Sequence, residues 1–158
     1  NGRHMDAVAL YVRGCALVVP GPGGYAAVLV EETGAEAVAS GHWPSATNNV
    51  MELWAVIAGL RTLKRPSRVT VYTPSKYLYE GASRWLADWE RRRWRTRDGR
   101  PVKHREVWTE LVHMMGDHDI SWKLVPAARA GVHGERAARV ARQEAEKAAG
   151  QAGASAGE

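Results

Sequence analysis

The 158-residue sequence contains no phenylalanine and a single cysteine, Cys15. One cysteine cannot form an intramolecular disulfide, so a reducing, cytoplasmic environment is expected. No apolar run approaches the roughly 18 residues that a membrane span needs, and no basic-then-apolar leader opens the chain, so no membrane partner is expected. Residues 1–4, ahead of Met5, resemble a remnant of an expression tag and carry no functional weight.

Acidic residues are also scarce in one part of the chain. Between Arg84 and Arg105 there are nine Lys or Arg residues against three acidic ones, a net charge of +6, while the whole chain carries +5. Such a localised basic patch favours a polyanionic partner more than a uniformly basic surface would. Because phenylalanine is absent, aromatic packing must rest on the seven tryptophans and five tyrosines.

The pattern of apolar residues predicts one α/β domain over residues 5–149, followed by a disordered Gly/Ala/Ser tail over 150–158. Strands are predicted at Ala7–Val12, Tyr25–Glu31, Ala35–Trp43, Arg68–Thr73 and Asp119–Val125. Helices are predicted from Thr47 to about Arg65, over 75–94 with a break near Gly81, over 104–115, and over 132–149. The glycine- and proline-rich stretch 20–25 is typical of a turn. The resulting order, β-β-β-α-β-α-α-α-β-α, predicts a mixed sheet with helices on its faces.

The stretch Thr47-Asn48-Asn49-Val50-Met51-Glu52-Leu53 is the most informative part of the chain. Asn49, followed three residues later by Glu52, has the spacing of a capping box, which predicts that the helix begins at Asn49. Leu53 and the apolar residues after it repeat at helical spacing, so one face of this helix is expected to be buried. Glu52 would then lie in the first turn, beside the core.

Several motifs in order resemble those of bacterial type 1 ribonuclease H. They are Pro20-Gly-Pro-Gly-Gly-Tyr25, the Thr47–Leu53 stretch, Ser75-Lys76-Tyr77, the Trp- and Arg-rich stretch Trp85–Trp94, and Pro101-Val102-Lys103. The resemblance spans about residues 7–146. It implies the ribonuclease H fold, a five-stranded mixed sheet flanked by helices with three antiparallel strands first. It also implies an ancestral activity, the cutting of the RNA strand of RNA–DNA hybrids with two magnesium ions.

The sequence departs from this family at the catalytic positions. The resemblance implies aspartates at Arg13, Pro74 and Ala138 and a histidine at Ala128, so only the glutamate, Glu52, is kept. One carboxylate cannot hold two magnesium ions about 4 Å apart. Arg13 places a permanent cation where a metal would bind, and we expect it to pair with Glu52. The magnesium site is therefore predicted to be lost, and no metal is expected. A weak single ion held by Glu52 and Glu135 is an unfavoured alternative.

The nucleic-acid-binding positions implied by the resemblance are better kept. The amides Asn48 and Asn49 would contact bases and sugars, and Thr47 a phosphate; Lys76 replaces a neutral amide beside them. The basic extension would grip the DNA backbone through Trp85, Arg91, Arg92, Arg93 and Arg95. The tryptophans of this extension would also pack between helices.

The primary prediction is a catalytically inactive ribonuclease H-like protein that binds a hybrid or duplex RNA. Two alternatives stay open. One is a repurposed fold whose emptied cleft binds a small ligand or supports a new reaction, with pocket residues Arg13, Cys15, Glu52, Tyr77 and Arg129. The other is a protein–protein or homodimerisation module that uses Val18, Val19 and the Trp-rich helix.

Overall fold

A five-stranded mixed sheet forms the centre of the molecule. The structure is a computed structural model that describes residues 5–156; the predicted tag remnant at 1–4 lies outside them. The strands are β1 (Asp6–Ala16), β2 (Gly21–Glu31), β3 (Glu36–Ala46), β4 (Ser67–Thr73) and β5 (Asp119–Leu124). Their order in the sheet is β3-β2-β1-β4-β5, with β1–β3 antiparallel and β4 and β5 parallel to β1. The predicted sheet is confirmed.

Five α-helices connect and cover the strands. They are α1 (Asn48–Arg61), α2 (Lys76–Glu80), α3 (Leu86–Arg91), α4 (Arg105–Met115) and α5 (Gly131–Ala156). The predicted break near Gly81 is a π-helical turn, Gly81–Trp85, which joins α2 to α3 without ending the helical path. In the described part of the chain, no helix is long and apolar enough to span a membrane.

The two faces of the sheet are covered in different ways. On one face, Leu10 and Val71 of the sheet pack with Leu53 and Ile57 of α1 and with Trp108 of α4, all almost fully buried. On the other face α5 presents a line of buried alanines, Ala137, Ala141, Ala145 and Ala148. A Cβ on Gly24 of β2 would overlap the backbone of α5 at Ala141 and Ala145. The small side chains on both elements therefore let α5 lie directly on the sheet.

Two expectations about the first strands were wrong. β1 continues through Arg13 and Gly14 to Ala16, and the stretch 21–24, predicted as a turn, is the start of β2. Both follow from pairing, because Arg13 faces Ala26 and Cys15 faces Gly24 across the antiparallel ladder. The turn propensity of glycine is overridden by this pairing and by the close approach of α5. β2 and β3 are joined by a tight turn in which Gly34 has a φ of 90°.

The start of α1 also differs from the expectation. Thr47, not Asn49, is the N-cap, and its hydroxyl accepts a hydrogen bond from the N–H of Val50 at 3.3 Å. The helix begins at Asn48, so Glu52 lies one turn inside it and is buried, with 5% of its surface exposed. The capping-box interpretation was wrong because a threonine two residues earlier satisfies the same helical donors.

The predicted disordered tail is helical as far as Ala156, the end of the described residues. The segment continues directly from the alanine-rich turns at 137–149, and alanine has the highest helix propensity. Oε1 of Gln151 also lies 3.2 Å from Nε2 of His42 on β3, which attaches the last turns of α5 to the sheet.

Candidate functional site

One cleft gathers most of the predicted site residues. It has a volume of about 670 Å³ and lies between the end of β1, the start of α1, the start of α2 and the middle of α5. The family resemblance implies catalytic residues at five positions, and four of them line this cleft: Arg13, Glu52, Pro74 and Ala138. The fifth, Ala128, is exposed in the short 3-10 turn before α5, where its neighbour Ala127 reaches the cleft.

Glu52 is the only carboxylate among the described residues that line the cleft. Its Oε1 accepts a hydrogen bond from the backbone N–H of Gly14 at 2.8 Å, and its Oε2 accepts one from the hydroxyl of Thr73 at 3.2 Å. Burial raises the pKa of Glu52 to about 7, against the lowering effects of the Gly14 N–H, Arg13 and Thr73. The folded protein therefore keeps this carboxyl group protonated up to a higher pH than an exposed glutamate would be.

The expected ion pair between Arg13 and Glu52 was wrong. In the described part of the chain, the partners of Glu52 are Gly14 and Thr73, and Arg13 acts on Glu52 only through its charge, which lowers the carboxyl pKa. Arg13 is partly exposed at the edge of the cleft. Because backbone and hydroxyl donors satisfy the buried carboxylate, the guanidinium remains available to a ligand.

The predicted minor-groove residues lie at the rim of the same cleft. Asn48, Asn49 and Lys76 all line it, and all three are exposed. Oδ1 of Asn48 accepts a hydrogen bond from the N–H of Ala16 at 2.7 Å, so its amide nitrogen remains free to donate outward. Thr47 is partly buried and uses its hydroxyl as the helix cap. Asn48, Asn49 and Lys76 are therefore accessible at one rim, whereas Thr47 acts as the helix cap.

The basic extension forms a separate surface, which we call the basic arm (residues 84–105). Arg91 and Arg92 both contact the carboxylate of Asp88 at 3.0 Å, and Arg95 donates to the carbonyl of Gly99 at 2.8 Å. Arg93 and its neighbour have left-handed φ angles of 55° and 63°, which turn the chain out of α3. One carboxylate shared by two arginines leaves the arm strongly cationic.

The tryptophans of the basic arm divide into two kinds. Trp89 lies in a tilted geometry on Trp85 and Trp94 and meets Trp108 edge-on at 5.2 Å, so it is half-buried and packs against the core. Trp85 is 40% exposed and lies in a tilted geometry on Trp89. Of the aromatic side chains in the arm, Trp85 is therefore the one presented to a ligand.

The alternative pocket is divided between two cavities. Cys15 and Tyr77 line the main cleft with Arg13 and Glu52, and the Tyr77 hydroxyl accepts a hydrogen bond from the indole of Trp108 at 2.9 Å. Arg129 does not line that cleft. It borders an adjacent cavity of about 230 Å³.

The sequence analysis missed two residues of this region. Arg142 lines the cleft from α5, one helical turn beyond Ala138, and Thr73 supplies a donor to Glu52. Only the four-residue spacing of Arg142 from Ala138 could have indicated it. Glu135, on the same helix, is exposed and does not line the cleft. Among residues 5–156, no group of three or more His, Cys, Asp or Glu side chains is placed to hold a metal ion.

The sheet order and the placement of this cleft define a ribonuclease H-like α/β protein. The RNase H family model matches residues 5–146, and the chain belongs to that family. Ribonuclease H of Bordetella bronchiseptica is 43% identical over 143 residues, covering 90% of this chain and 92% of the relative. Ribonuclease H of Thiobacillus denitrificans is 42% identical over 138 residues, covering 87% and 93%. Membership of this family supports a function that involves nucleic acid.

Solved structures agree with this assignment. LC9-RNase H1, described as a type 1 RNase H with the type 2 active-site motif, superposes with a TM-score of 0.83 at 26% identity, covering 93% of this chain and 75% of that one. LC11-RNase H1, solved in complex with an RNA/DNA hybrid, has a TM-score of 0.67 at 21% identity, covering 89% and 98%. The second likeness shows the fold alone.

Proposed function

We propose that this protein binds nucleic acid, an RNA–DNA hybrid or duplex RNA, without cutting it by metal-dependent hydrolysis. One observation carries the proposal. Arg13, Pro74 and Ala138 surround Glu52 in a single cleft, at the positions where the family resemblance implies metal-binding carboxylates. The replacements are therefore neighbours in space that together change one site.

The donor set in this cleft does not fit a pair of magnesium ions. Magnesium prefers anionic oxygens in an octahedral arrangement, and two-metal hydrolysis needs oxygens that bridge both ions. Among residues 5–156, Glu52 is the only carboxylate that lines the cleft, both its oxygens already accept hydrogen bonds, and Arg13 lines the same cleft. Proline and alanine offer no side-chain oxygen in place of the others. No step of a reaction is therefore assigned to a metal here.

The binding surfaces support the other half of the proposal. The outward amide of Asn48 and the exposed Asn49 can donate to bases and sugars, and the basic arm supplies cations for phosphates. The cationic contacts and the amide contacts contribute differently to binding. Cationic contacts to phosphate give affinity that falls steeply with salt and does not depend on sequence, whereas the amides fix the position of the duplex.

The test measures binding and cleavage on the same samples. A fluorescein-labelled RNA–DNA hybrid is titrated with protein, followed by anisotropy over a series of salt concentrations, and then run on a denaturing gel after incubation with magnesium or manganese. We expect saturable, salt-sensitive binding and an intact RNA strand, while a ribonuclease H relative treated in parallel cuts it. Cut RNA that depends on Glu52 would refute the loss of catalysis, and no binding at low salt would refute the binding function.

A second candidate is a small-molecule site in the same cleft. Its volume of about 670 Å³ lies within the range of about 300–1,000 Å³ that small-ligand pockets have. A rise in melting temperature with a nucleotide or metabolite, together with no affinity for a hybrid, would favour this function.

A protein–protein contact is a further candidate function, because Val18 and Val19 form an apolar loop and are 61% and 66% exposed. Self-association through this loop would make the elution volume depend on protein concentration.

A further inference from the structure

The main cleft carries an unusual balance of charge. Three cationic side chains line it from three different elements: Arg13 from β1, Lys76 from α2 and Arg142 from α5. The carboxyl group of Glu52 is the only acidic group that the described residues contribute to its lining, and it is buried between two hydrogen-bond donors. The cleft is therefore a concave cationic site.

These three cationic side chains are largely available to a ligand. In the described part of the chain, neither Arg13 nor Lys76 has an ion-pair partner. Arg142 contacts Glu146 through Nε at 3.3 Å, but both side chains are more than half exposed. Such surface pairs contribute little, and the terminal guanidinium nitrogens of Arg142 remain free for another acceptor.

We infer that this cleft binds a phosphate group directly, with Arg13, Lys76 and Arg142 as its ligands and without a bridging metal ion. The inference rests on the proposed nucleic-acid function. It adds one specific contact to that function, because a backbone phosphate would lie where the family resemblance implies metal ions. Arginine forks match the geometry of phosphate oxygens, and lysine adds a point charge.

The surroundings favour a phosphate that belongs to a strand. Asn48, Asn49 and Lys76 are exposed at the rim, so the cleft opens to solvent on the side where a duplex would lie. The amide nitrogen of Asn48 is directed away from its Ala16 contact and supplies a neutral donor beside the cations. A nucleotide or inorganic phosphate offers the same chemistry, and the experiment separates these sources.

The test compares single charge removals on the same helix. Arg142→Gln removes a cleft cation, whereas Arg139→Gln removes an exposed cation three residues earlier that does not line the cleft. Arg13→Gln and Lys76→Gln probe the other two elements. Hybrid binding is measured by anisotropy in EDTA and in magnesium at matched ionic strength, after circular dichroism has shown that each variant is folded.

We expect each cleft substitution to weaken hybrid binding about fivefold to tenfold and to lower the slope of log affinity against log salt by up to about one. Arg139→Gln should weaken binding less than twofold, and EDTA should not weaken the wild type. Equal effects of Arg142→Gln and Arg139→Gln, or binding that requires magnesium, would overturn the inference. If Arg93→Gln on the basic arm then still weakened binding, the proposed function would stand without it.

If the wild-type protein does not bind the hybrid, the proposed function is refuted, and a second measurement then tests the phosphate site by itself. Inorganic pyrophosphate and a nucleoside monophosphate are then tested by thermal shift. A rise in melting temperature that Arg142→Gln abolishes and Arg139→Gln retains assigns the cleft to a free phosphate ligand. No rise with either probe overturns the phosphate site as well.

Discussion

Gly14 and Glu52 are joined by a hydrogen bond of 2.8 Å from the backbone N–H of β1 to the carboxyl group of α1. The two chain segments come this close because Gly14 lacks a side chain. A Cβ at this position would lie 2.5 Å from the backbone nitrogen of Glu52 and 2.7 Å from the carbonyl carbon of Met51. The one carboxylate that the described residues contribute to the cleft is thus held by a backbone contact that permits no residue larger than glycine.

Gly14→Ala should therefore destabilise the fold by about 1–3 kcal/mol, the usual cost of inserting a methyl group into a packed backbone contact. Urea unfolding measures this difference. Gly150→Ala, in an exposed part of α5 where an added Cβ meets nothing within 4 Å, is the matched control and should be neutral or slightly stabilising. Equal stability of Gly14→Ala and the wild type would show that α1 does not pack this closely on β1.

Glu52 should make the stability of the protein depend on pH. Burial raises its pKa to about 7, above the ordinary value of 4.5, so between these pH values the folded protein holds a proton that the unfolded chain releases. The stability due to the neutral carboxyl group is fully present below pH 4.5 and is lost as pH rises to about 7. The loss should amount to about 3 kcal/mol.

Glu52→Gln removes this titration and keeps the shape of the side chain. Its oxygen can accept from Gly14, and its amide can donate to the hydroxyl of Thr73. The variant should gain stability relative to wild type as pH rises from about 5 to about 8, by urea unfolding at each pH. Glu135→Gln, which removes an exposed carboxylate from α5, is the control and should not show this gain. Parallel pH profiles for wild type and Glu52→Gln would contradict the assignment.

Restoring carboxylates should restore a metal site. The variant Arg13→Asp/Pro74→Asp/Ala138→Asp surrounds Glu52 with three new carboxylates on residues that already line one cleft. Like charges packed together destabilise the fold without a cation, so magnesium or manganese should raise the melting temperature of this variant and leave the wild type unchanged. Calorimetry of metal binding is the direct measurement. An equal response of both proteins would mean that the wild-type cleft already binds metal.

The comparison of sequence with structure shows where residue patterns are informative. The strands and helices of the core were predictable because apolar periodicity and turn residues agree there, as in β4 and α4. The start of β2 at 21–24 was not, because its structure depends on the pairing with β1 and on the close approach of α5 to Gly24, and α5 is distant in sequence. The N-cap of α1 was misplaced by two residues because Thr47, Asn48 and Asn49 can all cap a helix.

The site was predictable to a similar extent. The family resemblance identified Arg13, Glu52, Pro74 and Ala138, and the structure places all four in one cleft. The partners of Glu52 were not predictable, because the backbone N–H of Gly14 leaves no trace in the residue pattern. Arg142 was missed because an arginine on an Ala- and Arg-rich helix resembles a solvated face, and only the packing of α5 shows which arginine turns toward the cleft.

Substitutions of two tryptophans in the basic arm should affect nucleic-acid binding and folding stability differently. Trp85→Ala removes a 40% exposed ring, so it should cost less than about 1 kcal/mol of stability. It should also weaken hybrid binding, because on the proposed function this ring packs against a bound strand. Trp89→Ala removes a half-buried ring that packs on Trp85, Trp94 and Trp108, and it should cost more, about 2–3 kcal/mol. Urea unfolding and anisotropy on the same preparations test both. If Trp85→Ala left binding unchanged at every salt concentration, the arm would bind through its arginines alone.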